Sequence, residues 1–155
     1  MAERSLSVRS GAFENEGPIP QRFSCDGENV SPPVSWDGAP DETRSYVLIA
    51  DDPDAPGRTF VHWVYYDLPS SVSSLPAGVA QEANPQPGGT QGENGFGEIG
   101  YGGPCPPGGT HRYFFRVYAL DTELGLAPGA TKQEVLERAR DHVLAQGILM
   151  GTFAR

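Results

Sequence analysis

No stretch of this chain approaches the roughly 18 consecutive apolar residues that a membrane-crossing helix needs, and the opening residues, MAERSLSVRSGAF, lack the apolar run of a secretory signal. These two absences lead to the expectation of a soluble, cytoplasmic protein with no integral membrane segment. Cysteine is almost missing. Cys25 and Cys105 are the only two, too few and too far apart for a disulfide framework, so free thiols are expected, with a single bridge as the alternative. Basic residues are scarce as well: 11 Lys and Arg against 20 Asp and Glu give a formal net charge of -9. A surface of that sign repels nucleic acid and anionic membranes, so any anion must be held by a short-ranged local site. Catalytic and nucleotide signatures are also wanting. G-x-S-x-G does not occur, and GENGFG (92–97) neither follows a strand nor ends in Gly-Lys-Ser/Thr. DPDAPG (52–57) opens like a calcium loop, but Pro56 stands where a third oxygen ligand belongs and Trp63 where the closing Glu belongs.

What the chain does have is glycine and proline, 20 and 15 of them in 155 residues. That composition, with helix formers thin, predicts one mainly β domain with long ordered loops. Leu6 and Val8 alternate with polar residues as in an opening strand, and 17–40 is broken by prolines and turn residues. Tyr46–Ala50 reads as a strand buried on both faces, and 58–69 as a second strand with Phe60, His62, Val64 and Tyr66 on one side. Residues 84–109 hold ten Gly and five Pro yet carry Phe96, Ile99 and Tyr101, which predicts an ordered, site-forming loop rather than a linker. A strand over 111–121 follows. One helix is expected at about 131–146, capped by Thr131 and Glu134, with Val135, Ala139 and Val143 on one face and Gly147 closing it. ILMGTF then makes a short last strand.

Two clusters could carry chemistry. His111 and Tyr113 lie two apart on a strand and point the same way, behind glycines that let a backbone come close. Asp52, Asp54 and Pro56 end one strand just before His62 on the next, and a carboxylate beside an imidazole fixes its tautomer and favours its charged form. A histidine and a phenol near open backbone N–H groups would cradle an anion. Taken singly, each feature is ordinary: strand histidines are more often packed than ligating, Asp-Pro-Asp starts turns, and His142 reads as a solvated or packing residue within the helix. Zinc binding by Asp52, Asp54, His62 and His111 is chemically admissible, but the spacings match no zinc motif. No cofactor is expected.

Taken together and in order, DDPDAP (51–56), HWVYYDLP (62–69) and GYGGPCPPGGTHRYFFRVYALD (100–121) resemble the phosphatidylethanolamine-binding protein family, also called the Raf kinase inhibitor protein family, in its shorter bacterial and archaeal branch. FSCDGENVSPPVSW (23–36) and GENGFGEIGYGG (92–103) support the resemblance. It implies a Greek-key β-sandwich with a large antiparallel sheet, a smaller sheet and a C-terminal helical region. It also implies a small pocket for phosphate-bearing ligands, such as phospholipid head groups, built from Asp52, Asp54, Pro56, His62, Gly103, Cys105, His111 and Tyr113. Cys105 stands where animal members usually carry proline, and the longer C-terminal segment of those members is missing. A homodimer is a further implication. The expected function is noncatalytic binding of a phosphorylated small molecule, head group or phospho-peptide. Inhibition of a kinase or protease is the second reading, and metal-assisted hydrolysis the third.

Overall fold

The structure is a computed structural model and describes residues 4–155. The described chain forms strands β1 (Arg4–Ser5), β2 (Ser7–Arg9), β3 (Gly17–Pro18), β4 (Val34–Asp37), β5 (Ser45–Asp52), β6 (Phe60–Pro69), β7 (Ser74–Leu75), β8 (Thr90–Gln91), β9 (Thr110–Leu120) and β10 (Val143–Ala154), with one α-helix, α1 (Lys132–Ala139), before the last strand. The large sheet has seven strands in the order β1-β10-β9-β5-β6-β8, with β3 also on β10, and the small sheet is β2-β4-β7. Pairing is antiparallel except where β1 and β3 join β10. After the β5–β6 hairpin the chain makes a long excursion and returns as β9 beside β5, the non-neighbour return of a Greek key.

Aromatic and β-branched residues fill the strands because the large sheet is covered on both faces. On one face Trp36, Leu48, Trp63, Tyr65, Phe115 and Leu149 belong to the inter-sheet core. On the other, Val135 and Ala139 of α1 cover Val47, Ile49, Val64 and Tyr66. All eight residues of β5 are consequently buried. Removing each large side chain from water contributes about 1.5–3 kcal/mol.

The helix is half the expected length. Its capping box forms as the sequence predicts, with the Thr131 side chain accepting from the Glu134 N–H, but the helix ends at Ala139. His142 N–H closes the turn on the Ala139 carbonyl, and the His142 ring bonds Asp121 at 2.8 Å, so this histidine is not helical. Val143 and Gly147 belong to β10, a long strand rather than a short one, paired with β9 from Val143↔Leu120 to Ala154↔Thr110. Helical periodicity here is overridden by that ladder, because propensity is weaker than tertiary pairing. Gly147 serves a close approach instead of a cap: a Cβ there would lie 2.3 Å from the Leu6 carbonyl oxygen.

A second departure positions the site. Ala50 pairs with Trp63 but Asp51 pairs with Val61, so β6 carries one extra residue at His62. Such a bulge interrupts strict alternation and re-aims side chains. Trp63 joins the inter-sheet core, and Val64 and Tyr66 face the helix. The expectation that Phe60, His62, Val64 and Tyr66 share one face therefore fails after His62.

Candidate functional site

Where β5 ends and β6 and β9 begin, the sandwich leaves a cavity of about 130 Å³ lined by Asp52, Pro56, Phe60, His62, Phe96, Cys105, His111 and Tyr113 among others. It is well below the roughly 300–1,000 Å³ of drug-sized sites. The alternation of β9 sends His111 and Tyr113 inward while Arg112 and Phe114 face the other way. Tyr113 neighbours both imidazoles, its ring 5.2 Å from that of His62 and 6.5 Å from that of His111.

Both histidines use the same nitrogen to fix themselves. His62, 4% exposed, donates Nδ1–H to the Gly102 carbonyl at 2.6 Å. His111, 8% exposed, donates Nδ1–H to Asp52 Oδ2 at 2.7 Å. A carbonyl or carboxylate partner at Nδ1 leaves Nε2 as the free nitrogen, an acceptor when the ring is neutral and a donor when it is charged. Burial pulls the His62 pKa below 6.5, opposed by the Gly102 carbonyl and by Asp52. His62 is thus held mainly by a neutral carbonyl, not by the carboxylate expected to keep it charged. Tyr113 completes the set. Its hydroxyl is buried and has no hydrogen-bond partner among the described residues, and burial with the nearby Asp52 and Asp54 pushes its pKa up, so it stays a protonated donor.

The remaining expected residues divide. Pro56 and Cys105 are in the wall. Cys105 is not a free thiol: it is bonded to Cys25, 80 residues earlier, with S–S 2.04 Å. The bridge joins the loop of Pro106 and Pro107 to the turn after Phe23, and the backbone seals the junction through Cys25 N–H to the Pro104 carbonyl at 3.0 Å. The expectation of two free cysteines is therefore overturned, because folding brings the loops holding residues 25 and 105 against each other. Asp54 lies outside the cavity lining. It accepts from Arg112 Nε, Nη2 and backbone N–H at 2.9, 2.8 and 2.9 Å, and that guanidinium holds its pKa down at about 2. Gly103 is also outside. Its N–H donates to Asn29 Oδ1 at 2.8 Å, and a Cβ there would sit 2.2 Å from the Phe23 carbonyl oxygen. Gly102 N–H is taken by the His62 carbonyl. These two glycine N–H groups are therefore not open to an anion; what the loop supplies is the Gly102 carbonyl that orients His62.

The family model described as phosphatidylethanolamine-binding protein matches residues 9–154. The chain belongs to that family. A UPF0098 protein of Methanothermobacter thermautotrophicus is 49% identical over 150 residues, covering 97% of this chain and 99% of the relative. Among solved structures, the phosphatidylethanolamine-binding protein homologue CT736 of Chlamydia trachomatis superposes with a TM-score of 0.89 at 41% identity, covering 99% of both chains. E. coli YbcL, described as a member of the mammalian family, superposes with a TM-score of 0.90 at 29% identity, covering 97% of this chain and 99% of its own. Membership supports a function of the binding-protein type, and no helix among the described residues is long and apolar enough to cross a membrane.

Sequence reasoning missed the residues that hold this family member's loop in place. Asn94 bonds the Gly100 carbonyl at 2.9 Å and accepts from Phe96 N–H at 2.9 Å. Gln91 accepts from Trp63 Nε1 at 2.7 Å and donates to the Ala80 and Glu82 carbonyls at 2.8 Å each. An amide inside a glycine-rich run was the available signal, since such a loop needs side chains to satisfy its buried backbone. Among the described residues no cluster of three or more His, Cys, Asp or Glu is placed to hold a metal.

Proposed function

We propose that this chain is a noncatalytic binding protein whose small cavity takes the phosphate group of a small molecule, head group or phosphorylated peptide. The observation that carries this reading is the Tyr113 hydroxyl, a buried donor without a partner beside two imidazoles oriented through Nδ1. An unsatisfied buried donor costs about 1–3 kcal/mol, a cost that a bound acceptor removes. A singly protonated phosphate fits the set: it accepts from Tyr113 and donates its own proton to a neutral Nε2. Charge-assisted bonds contribute about 1.5–3 kcal/mol each, so two or three give millimolar to micromolar affinity. The bond from Cys105 to Cys25 takes the wall's one sulfur out of use as a nucleophile, which favours binding over catalysis.

Calorimetric titration of inorganic phosphate into wild type and Tyr113→Phe tests the reading. The variant should bind about tenfold more weakly, while the empty protein unfolds at the same denaturant concentration or slightly higher. Equal affinity in the two proteins would sink the assignment.

A further inference from the structure

The bridge between Cys25 and Cys105 has a placement that anion binding alone does not explain. Neither cysteine lies in a strand or in α1. Cys25 sits in the turn after Phe23, and Cys105 opens the run Cys105-Pro106-Pro107 that walls the small cavity. Among the described residues, positions 105 to 108 make no backbone hydrogen bond, and the prolines have no N–H to give. Backbone bonding stops at the Pro104 carbonyl, which accepts from Cys25 N–H at 3.0 Å, and resumes at Gly109, whose N–H and carbonyl both bond Arg155 at 3.1 Å. Besides the burial of Pro106 and one guanidinium contact, the disulfide is what ties this stretch to the rest of the fold.

The bridge is also reactive by position. Cys105 is exposed and Cys25 half-buried, so a thiol in solution can reach the pair without unfolding the sheets. Arg155 directs Nη1 to Cys105 Sγ at 3.3 Å while its Nη2 is anchored on Asp26 at 3.0 Å. A cation beside a sulfur attracts an incoming thiolate and favours the thiolate form of that cysteine. We infer that the Cys25–Cys105 bridge is a thiol-exchange site, cleaved in the folded protein by a dithiol, and that cleavage releases the Cys105–Pro107 wall of the cavity. One thiolate of the dithiol attacks Cys105 Sγ, the bond to Cys25 Sγ breaks, and its electron pair leaves on Cys25, which takes a proton. The second thiolate of the dithiol then attacks its own sulfur in the mixed disulfide and expels Cys105 Sγ as a thiolate beside Arg155. The dithiol gives up two electrons and becomes a disulfide; the bridge takes them and becomes two thiols.

The test treats the native protein with dithiothreitol in buffer without denaturant, counts thiols by iodoacetamide alkylation, and follows single amides by NMR-detected hydrogen exchange. Both cysteines should become alkylated. Exchange at the Cys25 and Gly109 amides should rise about tenfold or more as the wall loosens, while amides of β5 and β6 stay protected. Cys25→Ser with Cys105→Ser should reproduce the reduced pattern, and Arg155→Gln should slow reduction. Inorganic phosphate should bind the reduced protein more weakly. A bridge that yields only when denaturant unfolds the chain overturns the inference. So does a reduced protein whose Cys25 and Gly109 amides are as protected as before, or one that loses protection throughout β5 and β6, since the bridge is then a staple of the whole fold. An unchanged rate in Arg155→Gln overturns the part given to the guanidinium. If phosphate binds neither form, the function proposed above fails, and the exchange data still decide the fate of the wall. Wild type alone suffices should the variants not fold.

Discussion

Asp51 and Asp52 are adjacent and buried, yet the pleat sends them to opposite faces of the large sheet and into unlike company. Asp51, 1% exposed, meets Lys132 Nζ at 2.8 Å and Arg116 Nη2 at 3.3 Å on the helix side. Asp52 faces the cavity, its Oδ2 accepting from the His111 imidazole and its Oδ1 from the Asp54 N–H at 2.8 Å. One carboxylate is held by an ammonium and a guanidinium; the other orients an imidazole whose second nitrogen is left for the cavity. The same residue type thus serves as a clamp between sheet and helix on one side and as an orienting group for a site on the other. Neighbouring chemistry, not residue type, sets the role.

Substitution should separate the two roles. Asp51→Ala strands two cations and should have the largest effect on folding. Breaking a buried pair costs about 3–5 kcal/mol, and the lower end applies because Arg116 and Lys132 keep 30% and 28% of their side chains exposed and can hydrate. Urea unfolding should show that loss, with phosphate affinity unchanged. Asp52→Asn should do the reverse: a stability loss of about 1–2 kcal/mol but phosphate binding weakened about tenfold or more, since an amide is a weaker acceptor than the carboxylate and can turn its own N–H toward His111 Nδ1, so the ring is no longer held in one orientation and tautomer. Comparable affinities for Asp52→Asn and wild type would erase the contrast.

Acid sharpens the comparison further. His62 has a folded pKa below its ordinary 6.5, so below pH 6.5 the unfolded chain takes up a proton that the folded ring refuses. Its contribution to stability is complete above that pH and falls away as pH drops, by at most about 1.4 kcal/mol per pH unit for one proton. Denaturant midpoints at pH 7.5 and 5.5 should show the decline in the ligand-free protein, and His62→Gln should flatten it. A dianionic ligand should gain affinity over the same interval. The smallest effect belongs to Arg112→Gln. Asp54 is lowered from 3.8 to about 2 by that guanidinium, so the pair supports the fold above pH 3.8 and ceases to as acid titrates it. Because the pair is exposed, the difference should be confined to a minor change in the acid limb of unfolding.

The parts legible in the sequence were those fixed by local pattern. The separation of His111 and Tyr113 by two residues, the capping box at Thr131 and the burial of Tyr46–Ala50 follow from period and chemistry within a few residues. The composition, rich in glycine and proline, likewise indicated a mainly β domain, while the sandwich was an implication of the family resemblance. What escaped depended on partners distant in the chain. Val143 fits a helical face as well as a strand, and only the β9 ladder decides between them. Cys25 and Cys105 give no sign of adjacency until the loops carrying them meet. Asp54 and Gly103 sit within motifs that look site-forming, yet Arg112 and Asn29 claim their polar groups.

The extra residue at His62 has a consequence for how this site can diverge. Because the ring and Trp63 point to the same side of the sheet only through the bulge, exchanging residue types between Phe60 and Val64 alters what the cavity presents. Deleting one residue there would restore strict alternation and turn either the imidazole or the indole toward the helix. Such a strand tolerates changes of spelling far better than changes of length.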